Sequence, residues 1–446
     1  MKNFLVVGMG KTGESTARFL LDRGEKVLGY DDHKKQSDLP PHILNHPAFS
    51  PLRSIDLYKL NWSKIQECIV SPGVPSVHPI LAKCEQERIP IVSEVELACR
   101  MLKFPLIGIT GSNGKSTTVA LIGHILNQAG LSTFIGGNFG TPLIDSISFR
   151  STFQWGVVEL SSFQLERVVK ARFQIAGILN LALNHLDRHN SFRDYFLQKR
   201  NIFINQKKDD LAVVNFSHPS WHTQLCSMIR GSIIPVTYFG QLQEGFYWEN
   251  LKIVERFEGK KRIIHCHHWQ LPGEHNRENL LFATAICRAV GVRVDQIEES
   301  LSSFQGLHHR IQKIAEINGI LFYDDSKSTT PASTCAAVNS LNGPIILLLG
   351  GRSKIKDFSE LNRNLSSDKI KAVILFGEDR ELIYNFVPKS IPTYLFPTLD
   401  EAFEKVRSLS VSGDSVLLSP ACTSWDQYSN YHERGEHFIR LVYGNS

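Results

Sequence analysis

The chain has 446 residues, of which 42% are hydrophobic and 21% charged, and a net charge of +5. Because single cores rarely grow past ~250 to 300 residues, this length predicts two or three globular domains. Lysines and arginines are scattered among the acids without tracts, which argues against nucleic acid and for anionic small molecules as partners.

Eight cysteines (68, 84, 99, 226, 266, 287, 335 and 422) show no C-x-x-C pair and mostly sit in apolar runs, so they read as reduced thiols. No apolar run approaches the ~18 residues of a membrane span. Residues 1–8 enter a strand with no small-residue cleavage site, and a cytoplasmic protein is expected.

The first predicted unit, residues 1–100, opens with a strand at 4–7, then Gly8-Met9-Gly10-Lys11-Thr12-Gly13, a helix to about residue 23, and a second strand at 26–30 ending in Asp31-Asp32. This fits the G-x-G-x-x-G fingerprint of a turn that accommodates a diphosphate, with an acid able to accept from a ribose or a uracil-side group. A NAD site and a UDP-sugar site look alike at this level. Further on, Cys68-Ile69-Val70 leads into the rigid turn Ser71-Pro72-Gly73-Val74-Pro75, which reads equally as a ligand-facing strand end or as punctuation.

The middle unit, residues 101–307, starts with the stretch that organises the chain. A buried strand at 106–109 runs into Thr110-Gly111-Ser112-Asn113-Gly114-Lys115-Ser116-Thr117, and Val119, Ile122, Ile125 and Leu126 then recur at helical spacing. The glycines let backbone N–H groups turn inward, the helix start adds positive potential, Lys115 brings a charge, and Ser116 or Thr117 offers a hydroxyl to Mg²⁺. The general phosphate-loop pattern wants a glycine where Ile109 stands; with strand and helix both in place, phosphate binding is still favoured over an ordinary turn.

After Gly136-Gly137-Asn138 comes a strand at 155–160 carrying Glu159, then a strand at 174–179 delivering Asn180 and, further on, His185. These lie where parallel strand ends converge, and a carboxylate and an imidazole beside a triphosphate suggest Mg²⁺ ligation or substrate binding. A strand at 211–215 extends the sheet, and residues 233–269 predict an antiparallel hairpin edge turning at Glu258-Gly259. His265, His267 and His268 read as a polar strand face rather than a metal site, because alternation splits them and no cysteine pair has zinc spacing nearby. Asn276 and Asn279 fall at the start of a helix reaching residue 290, where an amide could meet an adenine edge or simply cap.

The third unit, residues 308–446, is again α/β. Predicted strands at 319–323, 345–349, 373–376 and 416–418 each end in polar or cationic residues, among them Asp325, Lys327, Thr329, Lys354 and Ser424. Such an edge is expected to face substrate. Pro331 suits the first position of a helix.

Taken together these markers resemble the Mur ligase family along nearly the whole chain. They are Gly8 to Gly13, Ser71-Pro72-Gly73, the compressed loop Gly111 to Thr117, Gly137-Asn138, Glu159-Leu160-Ser161-Ser162-Phe163-Gln164-Leu165, Gly273-Glu274-His275-Asn276, His309-Arg310, Asp325-Ser326-Lys327-Ser328-Thr329 and Leu418-Ser419-Pro420-Ala421-Cys422-Thr423-Ser424-Trp425-Asp426-Gln427. The resemblance implies three domains: an N-terminal Rossmann-like UDP-binding domain, a central P-loop ATPase-type doubly wound domain with an antiparallel edge, and a C-terminal Rossmann-like domain. It implies an ATP-dependent ligase of peptidoglycan precursor synthesis that adds D-glutamate to UDP-N-acetylmuramoyl-L-alanine through an acyl phosphate. No sticky surface helix argues against a monomer, and a monomer is expected. A rival NAD-dependent oxidoreductase would leave the phosphate loop unexplained, and no Asp-Asn-Pro-Arg motif for a diamino-acid substrate is present.

By the same resemblance Gly111, Ser112, Asn113, Gly114, Lys115, Ser116 and Thr117 hold the ATP phosphates, and Asn276, Arg310 and Asp325 the adenosine. The catalytic set is Lys115, Glu159, His185 and Lys199. Ser116 and Glu159 serve one Mg²⁺, and His185 a second with Lys199, the residue the family carries as a carbamate. Lys11, Thr12, Gly13, Asp31, Asp32, Gly73 and Asn138 take the UDP precursor, while Lys327, Thr329, Lys354, Ser424, Trp425 and Tyr431 take D-glutamate. Three residues depart from the family pattern: Asn184 stands where an acid is usual, Lys11 where the loop is apolar, and Trp425 is bulkier than expected.

Overall fold

In the computed structural model the described residues are 3–149, 152–181, 191–217, 219–366 and 368–444. They form three sheets distributed over two compact units, Met1–Trp269 with Arg277–Phe304, and Gln270–Asn276 with Gln305–Ser446. All eight cysteines are free thiols, and among the described residues no helix is long and apolar enough to cross a membrane.

The N-terminal sheet contains β1 (Asn3–Val7), β2 (Lys26–Tyr30), β3 (Phe49–Leu52), β4 (Ile65–Val70) and β5 (Ile91–Ser93). Their order is β3-β2-β1-β4-β5, all parallel, so the chain changes direction between β1 and β4. A crevice opens at the carboxyl ends of strands at such a point, which is where dinucleotide folds hold their ligands. Gly13, on the helix Lys11–Asp22, lies against β1's exit; a Cβ there would stand 2.0 Å from the Gly8 carbonyl oxygen.

The central sheet contains β6 (Leu106–Thr110), β7 (Thr133–Gly137), β8 (Trp155–Glu159), β9 (Ile175–Ile178), β10 (Leu211–Asn215), β11 (Ser232–Thr237), β12 (Gly245–Glu249), β13 (Lys252–Phe257) and β14 (Lys260–His265). In the order β14-β13-β12-β11-β10-β9-β6-β8-β7, β6 sits between β8 and β9, which brings the phosphate loop, Glu159 and Asn180 to neighbouring strand ends. The pairs β12–β13 and β13–β14 are antiparallel, the hairpin edge predicted from the turn at Glu258-Gly259. His265 ends β14 and its ring stacks on His267 at 5.5 Å; no group of three metal-ligating side chains occurs among the described residues.

Two carboxylates on the helix Glu94–Cys99 bind the first sheet to the second within this unit. Glu94 accepts from the Ile144 N–H at 2.5 Å, while one oxygen of Glu96 accepts from the N–H groups of Val169, Lys170 and Ala171 at 3.0, 2.9 and 2.8 Å. Asp145 adds bonds to Ser15 at 2.9 Å and Arg18 at 2.8 Å.

The second unit holds β15 (Gln312–Ile317), β16 (Ile320–Asp324), β17 (Ile345–Gly350), β18 (Ile370–Phe376), β19 (Thr393–Phe396) and β20 (Ser415–Ala421), in the order β15-β16-β20-β17-β18-β19. Only β15 runs antiparallel. Leu347, Leu348 and Leu349 are fully buried, as an unbroken apolar run in a parallel sheet covered on both faces requires. Pro331 opens the helix Pro331–Ser340, as its sequence position predicts.

Candidate active site

β6 delivers the chain into a turn whose glycines do what other residues cannot. Gly111 has φ +154° and Gly114 φ +80°, and a Cβ on Gly114 would approach the Asn279 side-chain oxygen to 2.2 Å. Gly114 caps the helix Lys115–Gln128, whose first backbone bond runs from Thr118 N–H to the Gly114 carbonyl. The N–H groups of Lys115, Ser116 and Thr117 precede that bond and stand at the positive end of the helix, which suits an anion. The Lys115 ammonium lies over the loop, donating to the carbonyls of Gly111 and Ser112 at 2.9 Å each.

Ser116 Oγ donates to one oxygen of Glu159 at 2.7 Å, and Asn138 Nδ2 donates to the other at 2.9 Å. A buried carboxylate therefore joins the phosphate loop to the residue that lines the N-terminal crevice. Hydroxyl and carboxylate oxygens are hard donors, so Ser116 and Glu159 fit Mg²⁺.

Lys199, on the helix Phe192–Arg200, reaches the same place from below. Its Nζ donates to Thr110 Oγ1 at 3.2 Å and to the Gly111 carbonyl at 2.9 Å, over the Tyr195 ring at 4.7 Å. Tyr195 OH in turn shares a hydrogen bond with Ser112 Oγ at 3.0 Å. Burial and the nearby Lys115 charge lower the Lys199 pKa to about 6, so its amine is neutral at pH 7. His185, and with it Asn184, lies outside the described residues.

The N-terminal crevice has a volume of about 420 Å³ and is lined by Lys11, Thr12, Asp31, Asp32, Gly73 and Asn138, among others. Lys11 Nζ donates to the Gly140 carbonyl at 2.7 Å, tying one wall to the other. Asp31 is engaged by the protein itself: it accepts from the N–H groups of Met9 at 2.6 Å, Lys34 at 2.8 Å and His33 at 2.9 Å. Burial opposes its ionisation, but these three bonds hold its pKa below the ordinary value. Asp32 accepts from Tyr30 OH at 2.9 Å and pairs with His78 Nε2 at 3.0 Å.

In the second unit the loops after β16, β17 and β20 lie at the carboxyl ends of adjacent strands and carry the residues assigned to D-glutamate. The Lys327 ammonium is 5.7 Å from the Tyr431 ring and that of Lys354 4.8 Å from the Trp425 ring; Ser424 is buried and Trp425 exposed. Thr329 follows on the Lys327 loop, just before the helix cap Thr330. Asp325 is fully buried: it accepts from Ile311 N–H at 3.2 Å and Ser419 Oγ at 2.7 Å, and burial raises its pKa to about 7. Arg310 sits close enough to lower the pKa of His275 behind the effect of burial, and Asn276 Nδ2 donates to the Pro272 carbonyl at 2.7 Å.

Several residues in these networks have partners that the sequence does not indicate, among them Asn279, whose amide the sequence offers to an adenine edge or a cap. Asn279 accepts from Thr118 Oγ1 at 3.2 Å and thus supports the phosphate loop. Tyr195 and Asn180 do the same from the other side. Arg434 is fully buried and donates to Ser326 O at 2.8 Å, Cys422 O at 3.1 Å and Gly350 O at 3.4 Å, gathering the loops after β16, β20 and β17. Nothing in its local sequence distinguishes it from an exposed arginine on an amphipathic helix.

Three family models match the chain in succession: a Mur ligase MurD-like N-terminal domain at residues 2–93, a Mur ligase middle domain at 109–287, and a Mur ligase glutamate ligase domain at 309–422. The chain belongs to the Mur ligase family. As a Mur ligase it is 38% identical over 99% of its length to UDP-N-acetylmuramoylalanine--D-glutamate ligase of Syntrophus aciditrophicus, covering 97% of that protein. The enzyme of the same name from Geotalea uraniireducens is 36% identical, with the same coverages. Among solved Mur ligases, MurF of Thermotoga maritima in complex with ADP superposes with a TM-score of 0.61 at 17% identity, over 100% of this chain and 95% of that one. MurC of Thermotoga maritima gives 0.60 at 19% identity with both chains fully covered. At these identities the two structures share the fold.

Proposed function

We propose that this Mur ligase joins D-glutamate to UDP-N-acetylmuramoyl-L-alanine in the cytoplasm, using ATP. The observation that carries the reading is the chain of contacts Ser116–Glu159–Asn138, which links the glycine-rich loop 111–117 through one carboxylate to a residue lining the N-terminal crevice. The alanyl carboxylate oxygen attacks the γ-phosphorus and ADP leaves, forming an acyl phosphate. The D-glutamate amine then adds to the acyl carbon, loses a proton, and phosphate departs as the amide forms.

Phosphoryl transfer needs mainly positioning and charge neutralisation. Lys115 supplies a cation to the β- and γ-phosphates, and the N–H groups at the helix start cradle them. Mg²⁺ held by Ser116 and Glu159 would neutralise further phosphate charge, and His185 and Lys199 are assigned to a second ion. Lys199 suits carbamylation because its amine is buried and neutral, the form that adds to CO2; an ammonium there would repel Mg²⁺. Lys327 and Lys354 offer two cations to the two carboxylates of D-glutamate.

Phosphate release from ATP should require UDP-N-acetylmuramoyl-L-alanine and D-glutamate together. Turnover with L-alanine or a diamino acid in place of D-glutamate, or with neither acceptor present, contradicts the assignment.

A further inference from the structure

The phosphate loop is bracketed by Gly111 and Gly114, both at positive φ, so the backbone between them is poorly restrained by its own chemistry. Asn113, at the exposed centre of that turn, receives its restraint from the neighbouring strand. β9 pairs with β6, and the pairing continues past the strands: Leu179 N–H donates to the Thr110 carbonyl at 2.9 Å and Ser112 N–H to the Asn180 carbonyl at 3.0 Å. The Asn180 side chain then adds two further bonds. Its Oδ1 accepts from the Asn113 N–H at 2.9 Å, and its Nδ2 donates to the Asn113 carbonyl at 3.2 Å.

We propose that Asn180 is a positioning residue for ATP: its carboxamide stands in for one more ladder rung and fixes the Asn113 peptide, so that the next N–H groups, from Gly114 to Thr117, face the phosphates. The inference rests on reading residues 111–117 as the ATP site. A carboxamide is the group that does this, because it offers one acceptor and one donor in a single plane that matches a peptide's own. Aspartate keeps the acceptor, loses the donor and brings a negative charge toward the phosphates. Alanine loses both bonds.

The test is calorimetric titration of Mg–ADP into the full chain and its Asn180→Ala and Asn180→Asp variants, alongside KM for ATP and for D-glutamate. Loss of two ordinary hydrogen bonds corresponds to about ten- to thirty-fold weaker nucleotide binding. Asn180→Ala should show it in full, and Asn180→Asp, which loses one bond, should weaken binding by about three- to ten-fold, with KM for ATP rising in step, KM for D-glutamate unchanged and the thermal midpoint retained in both. The isosteric aspartate decides the matter if the alanine variant folds poorly. Wild-type ADP affinity in Asn180→Asp, or equal rises in KM for all substrates, overturns the positioning role while leaving the ATP site intact. Failure of the unmodified chain to bind Mg–ADP overturns the site itself.

Discussion

Two lysines donate to one carbonyl oxygen, that of Gly111, and two ammonium groups held so close would repel strongly in a buried site. The conflict is resolved by keeping Lys199 neutral, which burial, helped by the Lys115 charge, achieves by bringing its pKa from an ordinary 10.5 to about 6. Carbamylation would go further and replace the repulsion with attraction. Because only the free amine adds CO2, the depressed pKa fixes the pH window: carbamate should persist from alkaline pH down to about 6 and disappear below it. With an ordinary lysine the same signal would grow in only at strongly alkaline pH. ¹³C-bicarbonate NMR reads this directly, and Lys199→Arg, always charged and unable to carbamylate, should show no such resonance. If the carbamate orients a metal, that variant should also lose about 10- to 100-fold in activity. A carbamate resonance that survives in Lys199→Arg would place the modification elsewhere.

The helix Glu94–Cys99 makes the corresponding point for an element. It is short and buried, and its two acids face into protein, where a solvated helix would turn them outward. Burial, with Asp145 adding repulsion, raises the Glu94 pKa from 4.5 to about 7. The folded chain therefore holds this proton more tightly than the unfolded one, so the contribution is fully present below pH 4.5 and lost as pH rises through 7. Glu94→Gln keeps the acceptor for Ile144 N–H and removes the titration. It should match the parent near pH 4.5 and exceed its stability by up to about 3 kcal/mol at pH 8, measured by denaturant midpoints at the two pH values. Parallel stability profiles across that range would mean that Glu94 stays ionised. The same helix shows where the sequence was opaque. Parallel strands such as β2 and β10 announce themselves as apolar runs, with the expected bounds 26–30 and 211–215 matching the structure, and the phosphate loop carries its own glycines. Arg434 does not disclose its partners, because the three carbonyls it gathers belong to chain segments remote in sequence, whereas Asp31 takes two of its three N–H groups from the turn that follows it and only that of Met9 from a distant loop. Asn180 is visible as the first polar residue after a strand, yet its pairing with Asn113 depends on β9 lying beside β6, which only the fold decides.

At the scale of the molecule, the helix Glu274–Val290 begins in one compact unit and continues in the other, since Gln270–Asn276 groups with the second and Arg277–Phe304 with the first. The residues assigned to ATP divide in the same way: the phosphate loop belongs to the first unit, and Asn276, Arg310 and Asp325 to the second. Units with separate cores can unfold in separate transitions, and a ligand stabilises whichever unit binds it. Five of the six tryptophans are in the first unit and Trp425 in the second, so Trp425→Phe separates the two fluorescence signals. Without ligand, two thermal transitions are expected. Mg–ADP at 100 times its dissociation constant should stabilise the first unit by about 2.7 kcal/mol. Should Asn276, Arg310 and Asp325 hold the adenosine, the second transition rises as well. D-glutamate alone should move only the second. A nucleotide shift confined to the first unit would remove those three residues from the ATP site and leave Asp325, buried against Ser419 and Ile311, as part of the core that shapes the loop after β16.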